Sequence, residues 1–242
     1  MEHAEKIHGK WILTLRRPLG GGSNYWWQES FDALVVATGH YNLPWLPSIP
    51  GLVEYDRRYP GRVIHSKHFR SPQKFAGKKV IVVGGSVSAH EILHEILEVE
   101  TVQRPVYASL RGEPIPSFGW APFIHPHIAR QKQISKLDPQ TGDVHFEGGT
   151  VVKGVDHIVF ATGYTFSFPW LKTVQERMRG REKERRLPGV FMHTWDVLDE
   201  TLTFVGMVCF LPFFFLFFFQ GGTSLSPASS LLSSILYPLS SL

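Results

Sequence analysis

A short segment that changes from strand-like to helix-like sequence constrains the fold of this chain most strongly. Residues 80–83 are Val-Ile-Val-Val, and such a run is typical of a strand buried on both faces of a parallel sheet. Gly84 and Gly85 follow at once, and a second apolar run comes later, at residues 106–110. Between them, apolar residues recur at helical spacing at Ala89, Ile92, Leu93, Ile96 and Leu97. Strand, glycine turn, helix and strand within about 30 residues predict a dinucleotide-binding unit.

The residues of the turn suit a bound pyrophosphate. Gly84 can adopt backbone angles forbidden to other residues, and Gly85 leaves room for a phosphate beside the main chain. The free amides at the start of the helix, and its positive dipole end, then face the phosphate. The candidate cofactor-binding residues here are Gly84, Gly85, Ser86, Val87, Ser88 and Ala89. Because Ser86 replaces the second glycine of G-x-G-x-x-G, a tight turn without a ligand is the alternative.

The end of the second strand predicts which nucleotide is bound. An acidic residue there would accept the ribose 2′-hydroxyl of NAD, whereas an arginine can neutralise the 2′-phosphate of NADP. Ser109 and Arg111 occupy this position, and Arg111 lies 22 residues beyond Ala89, which is the expected spacing. Glu113 is close enough to weaken the inference. We nevertheless expect NADPH.

A nine-residue sequence occurs twice in altered form. Residues 31–39 read FDALVVATG and residues 155–163 read VDHIVFATG, with five identical positions and a conservative Leu34/Ile158 pair. Two copies 124 residues apart are not a solenoid repeat. They resemble the closing strands of two related nucleotide-binding domains, with the dinucleotide unit inserted between them. The small residues at their ends permit a cofactor to approach, which makes Thr38, Gly39, Thr162 and Gly163 candidates for cofactor binding.

The composition of the chain indicates which binding partners and which cellular compartment to expect. The net charge of +4 is mild and its densest cluster, at residues 177–186, alternates with glutamates, so we expect no nucleic acid. The single Cys209 excludes an internal disulfide framework, and the polar N-terminus lacks a signal-peptide core, so a cytoplasmic protein is expected. The Phe-rich run at 210–219 is about half the ~20 residues of a membrane span. The His125-Pro126-His127 segment lacks further ligands nearby, so we expect no metal site.

Three motifs together resemble the flavin-containing monooxygenases and the related N-hydroxylating and Baeyer–Villiger enzymes. The pattern Tyr59-x-Gly61-x-x-x-His65-x-x-x-Phe69 is similar to the family signature F-x-G-x-x-x-H-x-x-x-(Y/F). The turn at residues 84–89 is similar to the family's NADPH motif G-x-G-x-S-(G/A). The two Ala-Thr-Gly strands match the family's linker motifs between its flavin and NADPH domains. From the residues alone, the segment 59–70 would be a polar loop with an embedded short strand, and a surface crossover is the alternative that composition favours.

The resemblance implies an α/β fold in which a Rossmann-like NADPH-binding domain is inserted into an incomplete, doubly wound FAD-binding domain. The implied organisation begins with a partial FAD-binding domain at residues 1–50 and a linker with the family signature at 51–77. The NADPH-binding domain follows at 78–163, the chain returns to the FAD-binding domain at 164–208, and a non-native-looking tail occupies 209–242. It also implies FAD and NADPH as cofactors. NADPH would reduce the flavin, which would activate O2 to oxygenate a nucleophilic nitrogen or sulfur, or a ketone. The flavin performs this chemistry, so no catalytic residue is assigned.

The sequence also departs from the family pattern. The family's FAD-binding glycine motif and active-site asparagine lie upstream of the first Ala-Thr-Gly strand, and neither occurs here. Residues 221–242 carry no charge, which suggests a read-through intron or a faulty gene boundary after about Phe210. Weak FAD retention and no turnover are therefore expected, and a non-catalytic NADP-binding remnant is an alternative. A disulfide-reductase relative is disfavoured because the chain has no C-x-x-C pair.

Overall fold

A computed structural model describes residues 1–114, 120–181, 184 and 186–207 of the 242-residue chain. The expectation of a non-native tail concerns residues outside these ranges. Strands predominate in the described part. In chain order they are β1 (His3–Ile7), β2 (Lys10–Gly20), β3 (Ser23–Phe31), β4 (Leu34–Val36), β5 (Leu43–Pro44), β6 (Val63–His65), β7 (Val80–Val83), β8 (Val106–Ser109), β9 (Ile128–Gln131), β10 (Ile134–Leu137), β11 (Val144–Phe146), β12 (Val151–Val152), β13 (His157–Phe160), β14 (Tyr164–Thr165), β15 (Val190–Phe191), β16 (Trp195–Asp196) and β17 (Leu202–Phe204).

Helices are few in the same residues. The α-helices are α1 (Leu52–Arg58), α2 (Val87–Leu97) and α3 (Lys172–Met178), and two short 3₁₀ turns occupy Ser66–His68 and Pro72–Phe75. None of the helices in the described ranges is long and apolar enough to cross a membrane.

The inserted unit forms a parallel sheet of five strands in the order β6-β13-β7-β8-β9. Val80, Ile81 and Val82 of β7 are fully buried, as expected for a strand covered on both faces. One face packs against α2, which buries its apolar stripe there, and the other contacts the meander β10-β11-β12. The predicted strand, glycine turn, helix and strand are therefore confirmed.

A second sheet joins residues from both sides of the insertion. Its order is β15-β16-β17-β4, and β17 pairs in parallel with β4 with Leu202 opposite Leu34. Residues 202–204 thus lie beside the first Ala-Thr-Gly strand despite their distance in sequence. The split domain with an inserted nucleotide unit is confirmed at the level of the fold. An antiparallel meander, β1-β2-β3, precedes this sheet in the chain.

The buried residues form three clusters, and the clusters come from different parts of the sequence. One buried cluster draws on residues 4–36 and 166–207, and the other two draw only on residues 49–161. The chain crosses between these regions twice, after each Ala-Thr-Gly sequence. The two crossings pair with each other as the antiparallel ribbon of β5 and β14, with Tyr164 opposite Pro44. A hydrogen-bonded ribbon therefore connects the two regions.

The segment expected to be a linker, residues 51–77, contains regular structure. It includes α1 and β6, and β6 pairs in parallel with β13 at the edge of the nucleotide sheet. The reason is that its short apolar run, Val63-Ile64, completes the burial of Ile158 and Val159 on the neighbouring strand. The short strand that the sequence predicted within this polar segment is therefore present as β6.

Candidate dinucleotide-binding site

The glycine turn after β7 is held in a conformation that only glycine tolerates. Gly84 has φ +134°, and a Cβ atom at this position would lie 2.4 Å from the carbonyl oxygen of Ala161. The amide of Gly84 donates to the carbonyl of Ser109 at 3.0 Å. The turn is therefore fixed between the carboxyl ends of β13 and β8. In open parallel sheets this edge is where ligands bind.

The first turn of α2 follows directly. Ser86 precedes the helix in extended conformation, and its hydroxyl makes no capping hydrogen bond to the helix amides. Its carbonyl accepts from the amide of His90 at 3.0 Å, which starts the helical ladder. Val87 and Ser88 are half-buried, whereas Ala89 is fully buried against the sheet. Helix amides and the positive dipole end can thus meet an anion here, with Ala89 serving packing.

Ser109 and Arg111 differ in their availability to a ligand. Ser109 is 2% exposed, and its hydroxyl donates to the carbonyl of Lys132 at 3.0 Å, so this side chain is used within the protein. Arg111 is exposed at the same edge of the sheet. Glu113, the residue that weakened the NADPH inference, lies 3.7 Å from Arg130, on the strand beside β8. Both side chains of this ion pair are exposed at the surface.

The two Ala-Thr-Gly sequences lie at the ends of different sheets. Gly39 and Gly163 share a left-handed conformation, with φ +68° and +84°. The Thr162 hydroxyl donates to the carbonyl of Trp45 at 2.5 Å, and the Trp45 amide donates to the Gly163 carbonyl at 2.9 Å. The turn at 84–89, Ser109, Arg111, Thr162 and Gly163 therefore share one sheet edge. Thr38 and Gly39 stand exposed at the end of β4, in the other sheet.

His65 connects the signature segment to the second Ala-Thr-Gly sequence. It is 4% exposed, its Nδ1 accepts from the Lys67 amide at 3.1 Å, and its Nε2 lies 2.9 Å from the Gly163 carbonyl. Because Nδ1 accepts, Nε2 must carry the proton and donate, which defines a neutral tautomer. Burial lowers the pKa of His65 and so favours this neutral form. The signature histidine is a structural contact at the crossing ribbon.

A second buried histidine follows the first Ala-Thr-Gly sequence, and residue-level reasoning did not identify it. The Nδ1 of His40 lies 3.0 Å from the Gly206 carbonyl, and burial lowers the pKa of His40. Ring contacts link His40 to Tyr41, Tyr41 to Tyr164, and Tyr164 to His65. The feature of the sequence that could have identified His40 is its position directly after Gly39. The ring series thus extends from one crossing to the other.

The signature segment makes one further contact with the crossing. Lys67 Nζ donates to the carbonyl of Asn42 and lies 3.1 Å from its side-chain oxygen.

His125 and His127 contact each other, and no cluster of three metal-ligating side chains occurs among the described residues.

Comparison with known proteins identifies the family. Residues 30–188 match the family described as pyridine nucleotide-disulphide oxidoreductase, which is well over half of the chain. Flavin-containing monooxygenase iboF of Amanita muscaria is 35% identical over 180 residues, which cover 66% of this chain. The chain is a member of the flavin-containing monooxygenase family. Flavin-containing monooxygenase FMO GS-OX-like 9 of Arabidopsis thaliana, 35% identical over 82% of the chain, is a further relative.

The solved structures agree with the family. S-allyl-L-cysteine S-oxygenase from Allium sativum shares 26% identity and a TM-score of 0.62 over 85% of this chain and 44% of its own. The chain spans 33% and 40% of the lengths of the Amanita and Arabidopsis relatives. The expectation of a flavin-containing monooxygenase with a two-domain, Rossmann-type fold is confirmed. The names of the matched family and of these relatives refer to a pyridine nucleotide and to a flavin, in agreement with the expected NADPH and FAD.

Proposed function

We propose that this flavin-containing monooxygenase chain provides the NADPH-binding domain, and part of the FAD-binding domain, of a flavin-dependent monooxygenase. The observation that carries the proposal is the turn at Gly84, whose left-handed glycine ends β7 and begins α2 at the ligand-binding edge of a parallel sheet. The NADPH-binding domain extends over residues 78–163 together with β6. The FAD-binding domain comprises the flanking segments 1–50 and 164–208.

Different residues of the site bind different parts of NADPH. The amides of residues 84–88 bind the pyrophosphate, and Gly84 and Gly85 keep side chains out of its path. Arg111 neutralises the 2′-phosphate with a guanidinium fork that suits phosphate geometry. Ser109 and Ala89 support these groups from within the protein. Thr162 and Gly163 border the same edge, and Thr38 and Gly39, exposed after β4, would help to hold a bound flavin.

The proposed reaction is oxygenation of a small molecule. A bound flavin would supply the redox chemistry of this reaction, which consumes NADPH and O2 and gives one oxygen atom to the substrate and the other to water. A nucleophilic sulfur or nitrogen, or a ketone, is the substrate class, and the S-oxygenase of Allium sativum favours sulfur. The contribution of this chain is to bind and orient NADPH. We place the protein in the cytoplasm.

Nucleotide titration of the full chain tests the NADPH site. We expect NADPH to bind more tightly than NADH, and Arg111→Ala to weaken NADPH binding by about 10-fold or more, the value of one charge-assisted contact. NADH binding should change little. Arg104→Ala is the matched control, since this exposed arginine precedes β8 at the opposite edge of the sheet. Equal affinities for both nucleotides, or equal effects of the two variants, would contradict the 2′-phosphate assignment.

A second candidate function is NADP binding without turnover. The observation that favours it is the outer edge of β4, which pairs with no other strand in the described residues. Purified protein distinguishes the two functions. A bound-flavin absorbance together with NADPH-dependent O2 consumption supports the monooxygenase. NADPH binding with neither property supports the second candidate.

A further inference from the structure

The segment that follows β8 folds back against the glycine turn. A Cβ atom on Gly85 would lie 3.2 Å from Cδ2 of Leu110 and 3.4 Å from Cα of Pro114. Pro114 is buried, whereas residues 111–113, the tip of this short loop, are exposed. Both ends of the loop therefore lie against Gly85, and the loop tip is placed beside the proposed pyrophosphate site.

Arg130, near the carboxyl end of β9, reaches the loop tip from the neighbouring strand. It pairs with Ala108 of β8, and Ala108 is buried in the core cluster that also contains residues of α2. Residues that pair across adjacent parallel strands project to the same face of the sheet, so Arg130 leaves the sheet on the side of α2. Its guanidinium lies 3.7 Å from the carboxylate of Glu113. The loop tip thus brings Glu113 to an arginine of the next strand, two residues after Arg111.

The charges at the loop tip are those that distinguish the two nicotinamide nucleotides. The carboxylate of Glu113 could accept the ribose 2′-hydroxyl of NADH, whereas the guanidinium groups of Arg111 and Arg130 suit the 2′-phosphate of NADPH. The side chains of Glu113 and Arg130 are 75% and 47% exposed, and such an ion pair is weak because water competes for both charges. A phosphate with about two negative charges and three acceptor oxygens can therefore replace the carboxylate.

We propose that Arg130 is a second cation for the 2′-phosphate of NADPH, and that it exchanges Glu113 for this phosphate when the nucleotide binds. Arg111 and Arg130 then both contact the phosphate through their guanidinium groups. Glu113 lowers the affinity for NADPH, since the phosphate must displace it. This inference rests on the proposed function and adds a second specificity-determining residue to it.

Nucleotide titration of the full chain tests the role of Arg130. We expect Arg130→Gln to weaken NADPH binding by about 5-fold or more, as the loss of a charge-assisted contact should, and to leave NADH binding nearly unchanged. Lys136→Gln in β10 is the matched control, because this lysine is similarly exposed and lies 3.5 Å from Asp138 in an ion pair. Equal effects of the two variants, or unchanged NADPH binding in Arg130→Gln, would overturn the inference.

Variants of Glu113 test the exchange itself. Because this carboxylate competes with the phosphate for Arg130, Glu113→Gln should tighten NADPH binding by about 2-fold or more and leave NADH binding nearly unchanged. The gain should disappear when Arg130→Gln is also present, since no cation is then left to release. Glu176→Gln, at an exposed position of α3, is the control and should have no effect. A gain of equal size in the double variant, or weaker NADH binding in Glu113→Gln, would contradict the exchange.

The same titrations distinguish this inference from the proposed function. Weaker NADPH binding in Arg111→Ala, without a loss in Arg130→Gln, would overturn the role of Arg130 and leave the NADPH site supported. Absence of NADPH binding to the parent chain, or its equal affinity for NADPH and NADH, would overturn both.

Discussion

His65 shows how a family signature residue can act through the protein's own backbone. Its ring bridges the Lys67 amide and the Gly163 carbonyl, at the point where the chain leaves the nucleotide sheet. The Gly163 carbonyl also accepts from the Trp45 amide on the other crossing. Removal of the ring would take its acceptor from the Lys67 amide and would leave the Gly163 carbonyl with the Trp45 amide alone. An unpaired polar group in a part-buried site costs more than the loss of an exposed hydrogen bond.

Substitution of His65 should therefore lower the stability of the fold. We expect His65→Ala to reduce the free energy of unfolding by about 1–3 kcal/mol, the range for leaving buried polar groups unsatisfied. Urea denaturation measures this change. His68→Ala is the control, because His68 is exposed three residues away and should stay within about 0.5 kcal/mol of the parent. Equal losses in the two variants would refute the bridging role.

Acid should weaken the fold through the same histidine. Burial lowers the pKa of His65 in the folded chain, so the unfolded chain binds the proton more readily. The contribution of neutral His65 to the free energy of unfolding is complete above the ordinary histidine pKa of about 6.5. It is lost as the pH falls towards the lowered pKa of His65 in the folded chain. The free energy of unfolding is measured at about pH 7.5 and about pH 5.5. We expect its decrease between these two values to be smaller in His65→Gln than in the parent. His40 and His157 shift in the same direction and remain in both proteins.

At the scale of elements, the turn between β7 and α2 depends on one glycine. Gly84→Ala would place a methyl group 2.4 Å from the Ala161 carbonyl, on a backbone with positive φ. We expect a loss of at least about 2 kcal/mol in the free energy of unfolding, with reduced NADPH binding. Thermal and urea denaturation measure it.

The matched control for this turn is Gly112→Ala. Gly112 lies near the same edge of the sheet, but a Cβ there meets no atom within 4 Å. Its substitution should leave stability nearly unchanged. A similar loss in both variants would show that the cost does not come from the close approach to Ala161.

The elements also differ in how well their sequences predicted them. The run at residues 80–83 and the stripe of α2 are strong local patterns, and the structure contains both. Strand β6 is a three-residue strand in a polar segment, and its stability depends on pairing with β13. The sequence predicted a short strand here but not its partner, because pairing with β13 is a long-range contact. The bridging role of His65 was missed for the same reason.

The whole molecule contains buried cores that share no residues. Clusters from residues 49–161 fill the nucleotide-binding region, and a cluster from residues 4–36 and 166–207 fills the other. In the described part of the chain, the crossings after the two Ala-Thr-Gly sequences connect them as the paired strands β5 and β14. Separate cores of this kind allow separate unfolding, because two-state behaviour holds best for single domains.

Calorimetry of the full chain should therefore show two unfolding transitions. We expect NADPH to raise the midpoint of one transition only, since a ligand at 100 times its Kd stabilises the region that binds it by about 2.7 kcal/mol. Arg111→Ala should diminish this shift at the same NADPH concentration and leave the other transition unchanged. One transition, or an equal shift of both by NADPH, would contradict independent cores.

The sequence by itself determined the nucleotide unit, its insertion between two related strands and its family, because strong local patterns and motifs carry these features. Tertiary structure decided how β4 and β17 pair, how β6 joins the nucleotide sheet and what His65 contacts. It also decided that Ser109 is used internally while Arg111 is exposed. Each of these depends on residues far apart in the chain, and their interaction energies exist only after the chain has folded.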